Sequence, residues 1–222
     1  MINAVMLVCD RNALTAQALQ TFFNNSALDW TLTIIDDASK FQTKCLLDRY
    51  ATQDGVTVLR APQPVGVTGR MRNLGVYWSE KMWGRGDFLY LSDNDAYFTK
   101  SWDVVLTHAL EEHGEFKLLG PYRHPYHLPN RQVDNVVATD AVQGLGHLMR
   151  WETWDKYGPL DAHATGTNQS EDYKFCQQIV ADGFLVGSIQ PDVVYNCGRT
   201  GTNGKPSPGA DVMPRIAGVF ME

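Results

Sequence analysis

The sequence predicts a single α/β domain with a mainly parallel central sheet and helices on both faces. Short apolar runs alternate with helical patterns through the first half of the chain, which is typical of a parallel sheet. The first run, Ala4–Cys9, is continuous rather than alternating, as expected for a strand covered on both faces. The length of 222 residues suits one sizeable core and is short for two.

Four strands and four helices are predicted in the first half. The strands are Ala4–Cys9, Thr31–Ile35, Val56–Leu59 and Phe88–Leu91. Leu14, Ala18, Leu19 and Phe22 form the apolar face of the first helix, and Met71, Leu74, Trp78 and Met82 that of the third. Ser39 with Gln42 predicts a capping box for the second helix, and Ser101 is the predicted cap of the fourth.

The second half is less regular. Its predicted strands are Lys117–Leu119, Ala141–Met149, Phe184–Ile189 and Val193–Tyr195. Its predicted helices are Trp151–Tyr157 and Glu171–Asp182, and the Pro-rich segment Pro121–Arg131 is predicted to be a loop.

Composition narrows the class of protein without naming a function. Hydrophobic residues make up 44% and charged residues 20%, which is ordinary for a globular protein. No run approaches the roughly 18 apolar residues of a membrane helix, and the first residues lack a signal-peptide pattern. The four cysteines are scattered, which favours a reducing, cytoplasmic compartment. The net charge of −6 argues against a surface built for broad nucleic-acid contact.

Polar residues and glycines gather where the predicted strands end. They are Cys9, Asp10, Arg11, Asp36, Asp37, Gly66, Gly69, Arg70, Arg72, Asn73, Asp93 and Asp95. Ligands of parallel sheets bind beyond these carboxyl ends, and carboxylates with arginines suit a metal-bound nucleotide diphosphate. Each of these strand-end segments alone has an ordinary explanation as a turn or helix cap, so the prediction of a nucleotide site depends on their convergence. The absence of a G-x-G-x-x-G or Walker motif disfavours dinucleotide and ATP sites.

Seven segments carry a family resemblance. They are Cys9–Asn12, Ile34–Ser39, Gly66–Gly75, Ser92–Asp95, Gln143–Arg150, Trp154–Asp161 and Glu171–Cys176. Their order and spacing resemble the GT-A fold glycosyltransferases, above all family 2 of mostly inverting enzymes, from about Ala4 to Gly198. The resemblance implies one GT-A domain over residues 1–222, with a nucleotide-sugar half (1–100), an acceptor and catalytic half (101–197) and a loop-rich tail (198–222).

The resemblance also implies the donor-site residues. Those expected to bind the nucleotide-sugar are Cys9, Asp10, Arg11, Asp37, Arg70, Arg72, Asn73 and Asp93. Asp95 is the expected direct ligand of Mn²⁺ or Mg²⁺, with Asp93 nearer the ribose or a bound water. Asn196 stands where family members often carry a metal-binding histidine, and its amide oxygen is a weaker candidate ligand.

On the acceptor side the resemblance implies Asp172 as general base, next to Glu171. Gly144, His147 and Trp151 are expected near the acceptor. The Gly- and Thr-rich loop Ala162–Ser170 and the tail from Gly198 are candidate lids, although both could equally be ordinary loops.

The predicted function is metal-dependent transfer of a sugar from a nucleotide-sugar, with UDP-sugars favoured, to an acceptor hydroxyl with inversion. The alternatives are a non-catalytic nucleotide-sugar binding module and a retaining enzyme of the same fold. The acceptor is left open among a glycan, a protein, a small molecule and a hydroxymethylated DNA base. A basic patch could serve the last case, and its candidate residues are Arg123, His124, His127, Arg131 and Arg150.

Overall fold

A computed structural model describes residues 1–124, 127–163 and 170–198. The strands are β1 (Ile2–Val8), β2 (Trp30–Asp36), β3 (Val56–Arg60), β4 (Phe88–Asp93), β5 (Ala96–Phe98), β6 (Phe116–Gly120), β7 (Pro129–Val133), β8 (Val136–Thr139), β9 (Gly146–Arg150), β10 (Leu185–Ile189) and β11 (Val194–Asn196). The helices are α1 (Asn12–Asn25), α2 (Phe41–Tyr50), α3 (Thr68–Trp83), α4 (Trp102–Glu112), α5 (Trp151–Tyr157) and α6 (Glu171–Ala181).

A 9-stranded sheet in the order β3-β2-β1-β4-β9-β6-β10-β8-β7 forms the centre of the domain. Strands β3, β2, β1 and β4 are parallel neighbours, and β9 joins them antiparallel to β4. Following the pairings across the sheet, only β8 and β9 of these nine run against the common direction. The predicted fold class is therefore confirmed.

The core has one layer on each face of the sheet. Helices α1 and α4 cover one face, where Phe22 and Trp102 pack within a large apolar cluster. Helices α3 and α6 cover the other face, and Val5 of β1 lies in their cluster. Because β1 is covered on both sides, its residues Ile2–Met6 are all buried, as the continuous apolar run predicted.

Helix α3 faces the sheet with a different side from the predicted one. Its buried residues include Met71, Gly75 and Val76, whereas Leu74 (42%), Trp78 (38%) and Met82 (52%) are exposed. Gly75 explains the rotation, because a Cβ there would lie 2.4 Å from Val5 Cγ1 and 2.8 Å from Ile35 Cγ1. The helix therefore approaches the sheet along its glycine, and the predicted apolar face is wrong except at Met71.

Neither predicted serine makes a side-chain capping bond, although Ser101 is the N-cap residue of α4. Helix α2 has Lys40 as its N-cap residue without a side-chain capping bond, and Ser39 Oγ instead accepts the N–H of Asp10. Ser101 precedes α4 in a left-handed conformation, also without a capping bond. Both predictions used local sequence, whereas the hydroxyl of Ser39 serves a turn 29 positions away in the chain.

The sequence analysis missed the hairpin β7–β8. Val133 pairs with Val136 across the two-residue turn Asp134–Asn135, with Asp134 at a φ of 49°. An Asp-Asn pair between valines is a hairpin signal, but β7 is a polar, largely exposed edge strand without the apolar alternation that would have revealed it.

Two further predictions concern the whole chain. In the part of the chain that the structure describes, no helix is long and apolar enough to cross a membrane. All four cysteines, Cys9, Cys45, Cys176 and Cys197, are thiols.

Candidate active site

A cavity of about 300 Å³ opens at the carboxyl edge of the parallel strands. Its lining residues are Leu7, Cys9, Arg11, Asp37, Gly66, Val67, Thr68, Met71, Asp93, Asn94, Asp95, Gln143 and Asn196. Six of the residues predicted for the donor and metal sites are in this set, namely Cys9, Arg11, Asp37, Asp93, Asp95 and Asn196. The convergence expected from the strand ends is therefore present in the fold.

The two carboxylates Asp93 and Asp95 flank an anchored asparagine. Strand β4 ends at Asp93, and Asn94 Nδ2 donates to the carbonyl of Asp10 (3.0 Å) and to Thr15 Oγ1 (2.7 Å). The short pairing of β5 with β11 then places Asn196 opposite Ala96, the residue after Asp95. The turn is thus held on both sides, with its carboxylates at the cavity wall.

Burial and the neighbouring carboxylate of Asp93 raise the pKa of Asp95 to about 6. Arg11 opposes this shift, because its Nη1 lies 2.5 Å from Asp95 Oδ2. A buried carboxylate beside a second one is an environment that a cation stabilises.

The side chains at this wall offer hard oxygen donors, the ligand type preferred by Mg²⁺ and Mn²⁺. Asp93 and Asp95 supply carboxylates, and Asn196 supplies an amide oxygen that accepts the N–H of Gly198 (2.8 Å). Among the described residues, no group of three His, Cys, Asp or Glu side chains could hold a metal by itself. The residues therefore fit a metal that takes its remaining ligands from a bound diphosphate or water.

Asp37 shapes the opposite wall. Its two carboxylate oxygens accept the N–H groups of Val65 (2.6 Å) and Gly66 (2.9 Å). These bonds fix the loop that leads into α3, and Gly66 takes a φ of +66° in that loop. Asp37 lines the cavity and also orders the segment from Gly66 to Thr68 that lines it.

Arg72, which is predicted to contact the donor, is not among the residues that line the cavity. Its guanidinium is 1% exposed and donates to Asp93 Oδ1 (2.6 Å) and to the carbonyl of Gly144 (2.6 Å). It also reaches Glu171 Oε1 (3.4 Å), 99 positions away. Arg72 therefore ties Asp93, the last residue of β4, to helix α6.

Three other predicted donor contacts also lie outside the cavity lining. Arg70 is exposed, because α3 is rotated relative to the orientation that the sequence predicted. Asn73 uses its amide nitrogen and oxygen to hold the backbone of Leu160 (2.8 and 2.9 Å). Asp10 Oδ1 accepts the N–H of Lys40 (2.6 Å), so the carboxylate orders the turn.

Asp172 and Glu171 begin helix α6 beside the cavity rather than in its lining. Asp172 Oδ2 accepts the N–H of Gly144 (3.0 Å) and Oδ1 accepts its neighbour Tyr173 N–H (2.8 Å). Burial raises the pKa of Asp172, but the hydrogen bond from Ser170 and the neighbouring His147 and Arg72 lower it, so the net direction is downward. Burial is the main cause of a raised pKa at Glu171.

The three predicted acceptor-side residues separate in the fold. Gly144 lies between Asp172 and Arg72, next to the cavity-lining Gln143. His147 is fully buried in β9, with Nε2 3.0 Å from the carbonyl of Val142, and burial lowers its pKa to about 4.

Of these three residues, Trp151 is the one that the fold places away from the cavity. Arg150 pairs with Phe88 at the start of β4, whereas Asp93 ends that strand, so Trp151 lies at the opposite edge of the sheet. Its Nε1 donates to Asn3 Oδ1 (3.1 Å), a packing role in the core.

The candidate basic patch is likewise divided. Arg123 and Arg131 line a second cleft beside β7, His124 is buried, and Arg150 lies over the ring of Phe88.

Some lining residues were not predicted as site residues. They are Leu7, Val67, Thr68, Met71, Asn94 and Gln143. All of them except Leu7 lie inside the motifs that carry the resemblance, so motif position could have indicated them. Nothing in their residue types distinguishes them from ordinary core or loop residues.

Known proteins share this fold. The mannosyltransferase PcManGT from Pyrobaculum calidifontis, solved with GDP-Man and Mn²⁺, is 13% identical with a TM-score of 0.67, covering 86% of this chain and 55% of that one. S. aureus TarS 1-349 with UDP-GlcNAc is 14% identical (TM-score 0.67), covering 87% and 57%. GalNAc-T7 with UDP, GalNAc and Mn²⁺ is 15% identical (TM-score 0.72), covering 88% and 43%.

The present chain thus spans about half the length of these three proteins. Comparison with curated protein sequences finds no match. The family model for Glycosyl transferase family 2 matches residues 4–154, which include the strand ends and both carboxylates of the Asp93–Asp95 turn. The fold is that of a GT-A domain, and the chain belongs to glycosyl transferase family 2.

Proposed function

We propose that this chain transfers a sugar from a nucleotide-sugar to an acceptor hydroxyl. The observation that carries the proposal is the cavity, where Asp93 and Asp95 face the same space as Asp37 and Arg11. Family membership supports a sugar-transfer reaction, and the position at the carboxyl edge of parallel strands suits a nucleotide.

We favour a UDP-sugar as donor. Two of the proteins that share the fold were solved with UDP or UDP-GlcNAc, although a third holds GDP-Man. The cavity offers Asp37 for ribose hydroxyls or a base, and Arg11 as a cation near the phosphates.

A divalent ion, Mn²⁺ or Mg²⁺, would be held by Asp95 together with Asp93, with Asn196 as a weaker ligand. When bound it would stabilise the negative charge that develops on the departing diphosphate. Two of the proteins with the same fold were solved with Mn²⁺. The oxygen-rich wall supports this assignment.

For the chemical step we propose inversion, with Asp172 as general base and Glu171 beside it. The acceptor oxygen forms a bond to the anomeric carbon, the bond from that carbon to the diphosphate breaks, and the acceptor proton passes to Asp172. The N–H groups of Gly144 and Tyr173 hold the Asp172 carboxylate in one orientation. A positioned base of this kind contributes on the order of 10² to 10⁴ in rate.

The acceptor stays open among a glycan, a protein, a small molecule and a hydroxymethylated DNA base. Two of the basic residues face acidic neighbours, which weakens the case for DNA: Arg131 Nη2 lies 3.4 Å from Glu115 Oε1, and Arg150 Nη2 lies 3.8 Å from Glu111 Oε1.

The donor site is tested by thermal shift with UDP, GDP, CDP and dTDP, each with and without Mn²⁺. A ligand that binds only the folded chain raises the melting temperature. At a concentration of 100 times its Kd, it adds about 2.7 kcal/mol to the free energy of unfolding. We expect one nucleotide to give a metal-dependent shift that disappears in Asp95→Ala and persists in the exposed control Asp54→Ala. No shift with any nucleotide would contradict the proposal.

The chemical step is tested with the nucleotide-sugar that binds. Asp172→Asn should lose transfer and donor hydrolysis by at least about 10²-fold while keeping the thermal shift with donor. Normal turnover in this variant would exclude Asp172 as base. Donor binding without any turnover of the wild type would instead indicate a non-catalytic module, and retained anomeric configuration in the product would indicate a retaining enzyme.

A further inference from the structure

Gln143 enters the donor cavity from the acceptor side. It lies in the segment between β8 and β9 and lines the same cavity as Asp93 and Asp95. Its neighbour Gly144 contacts the candidate base Asp172. The side chain therefore lies between the proposed metal side and the proposed catalytic side of one cavity.

The backbone at this position is held in place on every side. The N–H of Gly144 donates to Asp172 Oδ2 (3.0 Å), and its carbonyl accepts Arg72 Nη2 (2.6 Å). The carbonyl of Gln143 accepts the N–H of Gly146 (3.4 Å). A Cβ on Gly144 would lie 2.7 Å from Arg72 Nη1, so the segment is pressed against the guanidinium. Gln143 thus projects from a backbone segment that three hydrogen bonds hold in place.

The carboxamide of Gln143 is the uncommitted amide of the described cavity wall. Its oxygen is buried and has no hydrogen-bond partner among the described residues. The other two amides are in use, since Asn94 Nδ2 donates to Asp10 and Thr15, and Asn196 Oδ1 accepts from Gly198. A buried amide oxygen without a partner is unfavourable, so a ligand that turns the carboxamide towards the cavity and satisfies this oxygen gains affinity.

The charges of the wall decide which ligand group suits this amide. Asp37, Asp93 and Asp95 already place three carboxylates around the cavity. A sugar hydroxyl can both donate to the Gln143 oxygen and accept from its nitrogen. A sugar carboxylate could only accept, and it would add negative charge among carboxylates.

We propose that Gln143 binds a hydroxyl of the donor sugar, in a cavity whose three carboxylates favour neutral, hydroxylated sugars over uronic acids. The inference rests on the proposed function, because it assigns the sugar end of the same donor site. Asp95 and Asp37 act on the nucleotide diphosphate end, whereas Gln143 acts on the part of the donor that is transferred.

The test separates the sugar from the nucleotide. Calorimetry with Mn²⁺ measures the Kd of UDP and of UDP-glucose, and of GDP and GDP-mannose as a second pair. The proteins compared are wild type, Gln143→Leu and the control Gln132→Leu on the exposed strand β7. We expect Gln143→Leu to weaken the nucleotide-sugar about tenfold and the nucleotide less than twofold. Gln132→Leu should change neither. Wild type should bind UDP-glucose at least about tenfold more tightly than UDP-glucuronic acid.

Each result has one meaning. A selective loss for the nucleotide-sugar in Gln143→Leu, with an unchanged melting temperature without ligand, supports the inference. An equal loss for nucleotide and nucleotide-sugar, or no loss for either, overturns it while leaving the donor site intact, as does equal binding of the uronic acid donor. If the wild type binds none of these nucleotides, the proposed function itself fails, and Asp95→Ala will then be without effect as well.

Discussion

Replacing Arg72 with methionine removes a guanidinium that is 1% exposed and pairs with Asp93 and Glu171. Breaking a buried ion pair by removing one partner costs about 3–5 kcal/mol, because the remaining charge stays buried. Here Asp93 is 36% exposed and can be hydrated, whereas Glu171 is only 14% exposed. We therefore expect a loss of about 2–4 kcal/mol in the free energy of unfolding.

The matched control is Arg85→Met. Arg85 also contacts two carboxylates, Glu80 (3.0 Å) and Asp155 (2.7 Å), but all three side chains are at least 40% exposed. Exposed ion pairs contribute about 0–1 kcal/mol, so this variant should lose less than about 1 kcal/mol.

Urea unfolding followed by far-UV circular dichroism measures both variants at pH 7. A loss of about 3 kcal/mol corresponds to a melting temperature lower by roughly 6–12 °C for a chain of this size. The metal-dependent nucleotide shift should also weaken in Arg72→Met, because Asp93 loses the contact that orients it. Equal losses in the two variants would refute the argument that burial makes Arg72 a structural tie between the two sides of the site.

Gly75→Ala should cost about 1–2 kcal/mol in thermal unfolding, since overpacking against Val5 exceeds the gain in helix propensity, while Gly114→Ala, with nothing within 4 Å of its Cβ, should be near neutral. His147 has a pKa of about 4 when folded and about 6.5 when unfolded, so the unfolded chain binds more protons and stability falls as pH drops from 6.5 to 4. The unfolding free energy should therefore fall about 2 kcal/mol less between pH 7.5 and 5 in His147→Gln than in wild type. Asp103→Ala should lower the free energy of unfolding in urea by about 2–3 kcal/mol, because Asp103 Oδ2 accepts the N–H groups of Ala27 and Leu28 (both 2.8 Å). A loss of the same size in Asp103→Asn would contradict this hydrogen-bonding role.

Much of the nucleotide half was predictable because its signals are local. The apolar runs of β1 and β2 end directly in Cys9 and Asp36, and the run of β4 ends in Ser92–Asp95. A parallel sheet brings such strand ends to one edge whatever the details of packing, so Asp37, Asp93 and Asp95 could be grouped before the fold was known.

The roles of Arg72 and Trp151 were not predictable in the same way. Arg72 lies in a motif beside the site, but its partners Gly144 and Glu171 come from distant parts of the chain. Trp151 follows a segment near the cavity, yet β9 runs antiparallel to β4 and carries it to the opposite edge. Strand direction is a property of the assembled sheet, and residue spacing does not contain it.

The sequence by itself determined the α/β class, the first four strands, the family and the set of carboxylates at the carboxyl edge, because periodicity and strand-end chemistry are local properties. Only the tertiary structure decided which face of α3 meets the sheet, since Gly75 permits a close approach to Val5 and Ile35 that outweighs the apolar pattern of the helix. It also decided that the Arg72 guanidinium is held in ion pairs and that Gln143 lines the cavity, because both depend on contacts between segments far apart in the chain.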